Sequence, residues 1–232
     1  MSSPAKIPLK KYDLHIHSYY SGCSSIHPEK LLLTAKKRGL DGIAVTDHNT
    51  IKGGLETKRL NKDKNFEVIV GAEIKTEAGE ILGYYLKKEI QSRKAVEVIK
   101  EIHEQGGFAV VAHPFSHGIL RKCLRVDLKE LKGLDGVEVH NSRNMFGWEN
   151  FYSVMAAEKY RLSKTGGSDA HFCHEIGRGF TFFKGNLRAA IKNHSTDAAG
   201  KISPLPWARG LSMFRKFGVK LKYAFSDFAT HS

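Results

Sequence analysis

Four short apolar runs in this chain stop in the same way. "DGIAVTDH", "FAVVAHP", "LDGVEVHN" and "SKTGGSDAH" each read as a strand that gives way to histidine, aspartate or asparagine at its C-terminal end. "YDLHIH", "FEVIVGAEI" and "GEILGYYL" read as further strands. Helical stretches lie between many of them. "PEKLLLTAKKR" has Pro28 for its first turn and Gly39 for its C-terminal cap, "SRKAVEVIKEIHEQGG" is amphipathic and ends in two glycines, and a third helix runs from about Trp148 to Tyr160. Alternating strands and helices imply a parallel sheet covered by helices. In parallel α/β barrels the C-terminal ends of the strands carry the chemistry, and here the polar residues collect at those ends.

A chain of 232 residues suffices for one sizeable core. Lys and Arg number 37 against 24 Asp and Glu, a formal charge of +13 that favours phosphorylated or polyanionic partners. No arginine- and aromatic-rich nucleic-acid module accompanies that charge. The three cysteines, Cys23, Cys123 and Cys173, follow neither disulfide nor zinc-finger spacing, which fits a reducing compartment. No apolar run is long enough to span a membrane, and "MSSPAKIPLK" lacks the apolar core of a signal peptide, so a cytoplasmic location is expected. After about Asn186 the alternation weakens. "STDAAGKISPLP" reads as a linker, which sets an expected domain at 1–192 and a basic, aromatic-rich tail at 193–232. A helix laid against the barrel is the expected role of that tail, with contact to nucleic acid or a membrane surface as the alternative.

Residues two apart in a strand face one side, so His15 and His17 can reach one metal ion together. Other ligand types stand at other strand ends: His48 after Asp47, Glu73 after Ala72, His113 before Pro114, and Asp169 with His171 as a second alternate pair. In a barrel these would converge. There is no GxGxxG after a strand, no GxxxxGK[ST] phosphate loop and no GxSxG elbow. His27, His103, His194 and His231 sit in helical or tail contexts and are expected to be solvated; Cys123 and Cys173 are expected to be packed or spectator thiols, although Cys173 lies two residues after His171, and His117 has no assigned role.

"DLHIHSYYS", "GIAVTDHNT", "GAEI", "AHP" and "GGSDAH", in that order, resemble the successive motifs of the PHP (polymerase and histidinol phosphatase) family over residues 12 to about 185. The resemblance implies a distorted (β/α)7 TIM-like barrel with two or three divalent ions, Mn, Zn or Fe, at its C-terminal mouth. Carried over by position, His15, His17 and Asp169 would hold one ion, Glu73 would bridge it to a second that His113 also binds, and His48 and His171 would hold a third. Two positions depart from the commoner pattern. Cys23 stands where Asp or His is usual: as a thiolate ligand of the third ion it would favour a thiophilic metal, and the alternative is a spectator thiol beside a weakly held or absent ion. Glu80 stands where many members have histidine and would complete the ligand set of the second ion; His140 is the substitute for it, although a strand-end position next to substrate is the expected place of His140. Arg143 and Arg178, whose guanidinium groups match phosphate oxygens, and Asn141 and His174 lie next to ligand motifs and are the expected substrate contacts.

The implied activity is metal-dependent phosphoesterase action by a water activated between ions, with Asp169 as ligand and His171 or His48 as proton donor to the leaving group if not coordinated. Nucleoside bisphosphates or oligonucleotide 5′ ends are the expected substrates. Histidinol phosphate, a proofreading or repair nuclease role, and a catalytically silent nucleic-acid-binding or assembly subunit are the alternatives.

Overall fold

A computed structural model describes residues 7–116 and 124–203. His117, Cys123, His231 and the aromatic tail from Pro204 lie outside the described residues. The strands are β1 (Leu9–Ile16), β2 (Gly42–Val45), β3 (Glu67–Lys75), β4 (Glu80–Tyr84), β5 (Phe108–Val111), β6 (Gly136–Asn141), β7 (Ser163–Gly167), β8 (Gly179–Lys184) and β9 (Asp197–Gly200). The helices are α1 (Pro28–Lys37), α2 (Lys52–Leu60), α3 (Ala95–Glu104), α4 (Gly147–Lys159) and α5 (Leu187–Lys192). All strands form one sheet in the order β7-β6-β5-β4-β3-β2-β1-β8-β9.

The sheet curls into a nearly closed barrel. Backbone bonds join the end of β1 to the segment after β7, from Asp169 N to His15 O at 2.7 Å and from His17 N to Ala170 O at 3.0 Å. Gly167 lies in this seam. A Cβ there would stand 2.6 Å from the His15 backbone nitrogen, so only glycine allows the approach.

The sheet is not wholly parallel. β1, β2 and β3 run parallel, as do β5, β6 and β7, but β4 is antiparallel to both its neighbours and β8 is antiparallel to β1. Four residues join β3 to β4, too few for the crossover that parallel strands need. The stretch read as a linker supplies β9, which pairs antiparallel with β8.

Alternation along the strands divides the core. Leu14, Ala44, Ile69, Leu82, Tyr84, Val110 and Phe183 pack together inside the barrel, and Leu187 and Ile191 of α5 close its lower end. Outside, Val98, Ile99 and Ile102 of α3 cover one flank with Val111, Val137 and Val139. Leu31 and Ala35 of α1 cover another with Ile16, Ile43 and Val45. Pro28 opens α1 and Gly39, at φ 69°, lets the chain leave it in the left-handed region. The pairing of β1 with β2 shifts register between Asp13 and Ile16. That irregularity reverses the parity of the strand: Leu14 points into the barrel, Ile16 points out to α1, and His15 and His17 face the mouth.

Candidate metal centre

The ligand types expected from sequence converge at the C-terminal mouth. His15 and His17 bring their Nε2 atoms to 3.2 Å of each other. The Asp169 Oδ1 atom lies 3.3 Å from His17 Nε2 and 3.8 Å from His15 Nε2. Glu73 places Oε2 3.4 Å from His17 Nε2 and Oε1 3.6 Å from His15 Nε2. Two ligand atoms on one zinc-like ion, each about 2.0–2.1 Å from it in tetrahedral geometry, stand roughly 3.3 Å apart. The donor set therefore fits an ion. Glu73 also meets His113 Nε2 at 3.1 Å and His48 Nδ1 at 2.7 Å, so one carboxylate faces four imidazoles and could serve more than one ion. Glu80 is buried with Oε2 3.7 Å from His113 Nε2.

Ligand atoms of His17, Cys23, His48 and His171 form another group, all within 4.8 Å of one another. Cys23 is thus brought to the cluster, and so is Glu80, grouped with His48 and Glu73. His140 is not. The pairing of β6 with β7 shifts between Glu138 and His140, and His140 turns toward β9, where its Nε2 would lie 2.6 Å from a Cβ at Gly200.

Backbone strain marks two of these positions. His113, at φ 26°, and Asp169, at φ 54°, both adopt positive φ, which costs a non-glycine residue of order 1–3 kcal/mol. Surrounding bonds impose it. The Asp169 N–H donates to His15 O, and the His113 N–H donates to Glu138 Oε2 at 2.8 Å.

Glu138 was not among the sequence candidates. It is fully enclosed, and beyond His113 its carboxylate meets His15 Nδ1 at 2.9 Å and Asn141 Nδ2 at 3.0 Å. The Glu138 carboxylate accepts the Nδ1 proton of His15, which selects the tautomer whose Nε2 lone pair faces the cluster and can ligate. Asp13 and Asp47 serve similarly in the backbone around the site. Asp13 accepts from the N–H groups of His15, Ser168 and Gly177, and burial pushes its carboxyl up to about 7 against those bonds. Asp47 accepts from Ser18 N and the hydroxyls of Ser18 and Ser21, and Ser21 in turn contacts His17 Nδ1 at 2.9 Å.

Charge follows this layout. Burial opposes the charged form of His15, but the carboxylates of Glu138, Asp169 and Glu73 outweigh it and hold the imidazole well above its ordinary range. Burial would raise Glu73, yet His48, His15 and His113 hold it well below the usual carboxylate range. His171 is held well below its usual value by burial, then by the Arg143 guanidinium and His17. Its Nδ1 contacts the Asp169 carbonyl at 2.8 Å, which assigns the ring proton to Nδ1 and leaves Nε2 able to ligate.

The expected substrate contacts divide. Asn141 is fully buried with its amide directed to Glu138 and to Asp169 Oδ2, an orienting position. Arg143 is buried with Nε 3.2 Å from Glu175 Oε1, while Glu175 Oε2 accepts from the N–H groups of His171 and Phe172. Arg178 is half-buried just before β8, at the mouth end. His174 is exposed, with its ring stacked on Phe172, and no contact among the described residues joins it to the cluster.

The comparisons with known proteins agree with this geometry. The PHP domain matches residues 13–113, and a PHP-associated family matches residues 147–195. Uncharacterized protein MJ1587 of Methanocaldococcus jannaschii is 42% identical over 151 residues, 60% of this chain and 86% of its own. A two-domain protein from Bacteroides vulgatus, containing a predicted PHP-like metal-dependent phosphoesterase, superposes with a TM-score of 0.70 at 21% identity, over 84% of this chain and 66% of its own. The lesion-specific endonuclease PfuEndoQ of Pyrococcus furiosus gives 0.62 at 20% identity, over 82% of this chain and 58% of its own. Among the described residues no helix is long and apolar enough to cross a membrane. The motifs, the barrel and the ligand cluster lead to one conclusion: the chain belongs to the PHP family, and its fold is that of a metal-dependent phosphoesterase, a hydrolase.

Proposed function

We propose that this protein hydrolyses phosphate esters of nucleotide-like substrates, namely nucleoside bisphosphates or the 5′ ends of short oligonucleotides. The observation that carries the reading is the position of Glu73, whose two carboxylate oxygens face imidazoles of two adjacent ligand groups. His15, His17, Glu73 and Asp169 would hold one divalent ion; His113, Glu73 and Glu80 a second; Cys23, His48 and His171 a third, the thiolate favouring zinc there. Such ions, when bound, polarise phosphoryl oxygens and make water acidic enough to attack near neutral pH.

The chain's own residues do the rest. Glu73 and Asp169 serve as ligands and are not available as free bases. Glu138, Asn141 and Asp13 fix the first group's orientation before substrate arrives. His48 is the most open imidazole of the cluster, at 15% exposure, and is the proton donor to the leaving alkoxide when it is not coordinated. Arg178 is the proposed phosphate partner, whereas Arg143 acts through Glu175 on the His171 loop. The net charge of +13 favours an anionic substrate. The likeness to the lesion-specific endonuclease PfuEndoQ supports a nucleic-acid substrate over histidinol phosphate. A silent assembly subunit is disfavoured because the residue types that would hold the ions are retained, with Cys23 and Glu80 at the two departing positions both able to ligate.

The test is phosphate release by metal-reconstituted protein from nucleoside 3′,5′-bisphosphates, 5′-phosphorylated oligonucleotides, histidinol phosphate and an aryl phosphate, with Asp169→Asn as the blank. Metal-dependent turnover of the first two classes supports the reading. Preference for histidinol phosphate, or no turnover by the wild type with any metal, rejects it.

A further inference from the structure

Helix α4 is packed inside out. It turns Glu149, Ser153, Ala156 and Ala157 inward, all small or polar. Outward it presents Phe151, Tyr152 and Met155, each exposed to between 50% and 59%, and Met145 and Phe146 just before it are similarly exposed. A surface helix ordinarily puts its large apolar residues against the core, and a contiguous apolar patch of this kind marks a site of interaction.

The exposed rings also form a row. Phe146 stacks on Trp148 with centroids 6.0 Å apart and planes within 9°. Trp148 meets Tyr152 edge-on at 6.0 Å, and Phe151 meets Tyr152 at 5.8 Å. Tyr152 in turn lies 6.1 Å from Phe115, which stands two residues beyond the ligand His113. The row therefore joins the segment that follows His113 to helix α4 and its N-terminal end.

We propose that this row is a base-stacking track for single-stranded nucleic acid whose terminal phosphate lies at the metal centre. The inference rests on the phosphoesterase reading above and narrows its substrate to oligonucleotides. Three observations select this occupant. Among the described residues the patch is made of rings and methionines, and rings stack on any base. One end of it, Phe115, stands two residues after the candidate ligand His113. And the molecule carries +13, which repels a second copy and attracts a polyanion.

The test is a Phe146→Ala/Phe151→Ala/Tyr152→Ala variant, reconstituted with metal and assayed on a 5′-phosphorylated pentanucleotide and on a nucleoside 3′,5′-bisphosphate. Loss of stacking weakens binding by roughly five- to hundredfold per base. The expected result is a KM for the pentanucleotide raised tenfold or more, with turnover of the bisphosphate changed less than twofold. A pentanucleotide with abasic sites keeps the backbone charge and is expected to bind wild type at least tenfold more weakly than the intact one. That binding arm needs no turnover, so it separates failure of the track from failure of the phosphoesterase reading. Equal binding of the two strands overturns the proposal. So does an unchanged KM together with a lowered melting temperature, which would mean that residues 204–232 cover the patch. Loss of a wild-type dimer without a change in KM, which would mean that a second copy covers it, overturns the proposal as well.

Discussion

Replacing Glu138 by glutamine removes one charge and changes one acceptor into a donor, and the structure fixes which acceptor goes. Oε2 accepts from two groups, His113 N and Asn141 Nδ2, while Oε1 serves His15 Nδ1 alone. If the amide NH2 of the glutamine faced the first pair, two buried donors would lose their acceptor, at about 1–3 kcal/mol each. The other orientation keeps both of those bonds, exchanges the charge-assisted bond to His15 for a weaker one of reversed direction, and is preferred. It points an N–H at His15 Nδ1, which must then accept, so the ring proton moves to Nε2. Nε2 is the atom directed at Glu73 and Asp169, and a protonated nitrogen cannot ligate. The stability cost is thus about 1–3 kcal/mol, while affinity for the first ion falls by roughly 10- to 100-fold, the usual effect of losing such an outer partner. Thermal unfolding in chelator measures the first quantity, and competition with a chromophoric chelator measures the second. Wild-type metal affinity in a folded Glu138→Gln protein would refute the assignment of Glu138 as the residue that sets the His15 tautomer.

Gly167→Ala is expected to open the seam between β1 and β7. The added methyl meets backbone of His15, which cannot yield like a side-chain tip, so the melting temperature and metal content fall together; a stable, metal-replete alanine protein would contradict the close approach. Glu73→Gln should cost both adjacent ions and abolish turnover, which elemental analysis checks; loss of a single ion would remove the bridging role. Cys23→Ser should lower occupancy of the ion shared with His48 and His171 and leave the others in place, and full metal content in that protein would exclude thiolate ligation. Arg143→Ala leaves the Glu175 carboxylate without its guanidinium and should disturb the His171 loop, whereas Arg178→Ala should raise KM at constant metal content; the reverse pattern would exchange their roles.

The strand ends and the ligand types at them were legible because each depends on a few adjacent residues. The geometry that joins them was not. Simple alternation puts Glu138 and His140 on one face, and the register shift between them sends one to the metal centre and the other toward β9. Glu138 escaped notice because its partner His15 is 123 residues away, and a single buried glutamate in "GVEVHN" has no local mark of that contact. The direction of β4 was readable in principle, since Thr76–Gly79 cannot hold a crossover, but the regular βα rhythm elsewhere argued for a parallel strand. β9 carries the sequence "DAAG", which has low strand propensity. Small residues are required there by space: a Cβ at Gly166 would already come within 2.8 Å of the Ala198 methyl.

The barrel closes between segments 155 residues apart in sequence, where Ser168 N meets Asp13. Asp169 lies on one side of that closure and His15 and His17 on the other. An ion held by all three is therefore a reversible staple across almost the whole chain. A covalent link enclosing so long a loop would remove roughly 5 kcal/mol of freedom from the unfolded state, and a ligand that binds only the native form stabilises in proportion to the logarithm of its concentration over its Kd. Supply of metal in the cell would then govern how long the folded protein survives as well as how fast it turns over, and starvation for the ion would be felt first as a barrel opening along this line.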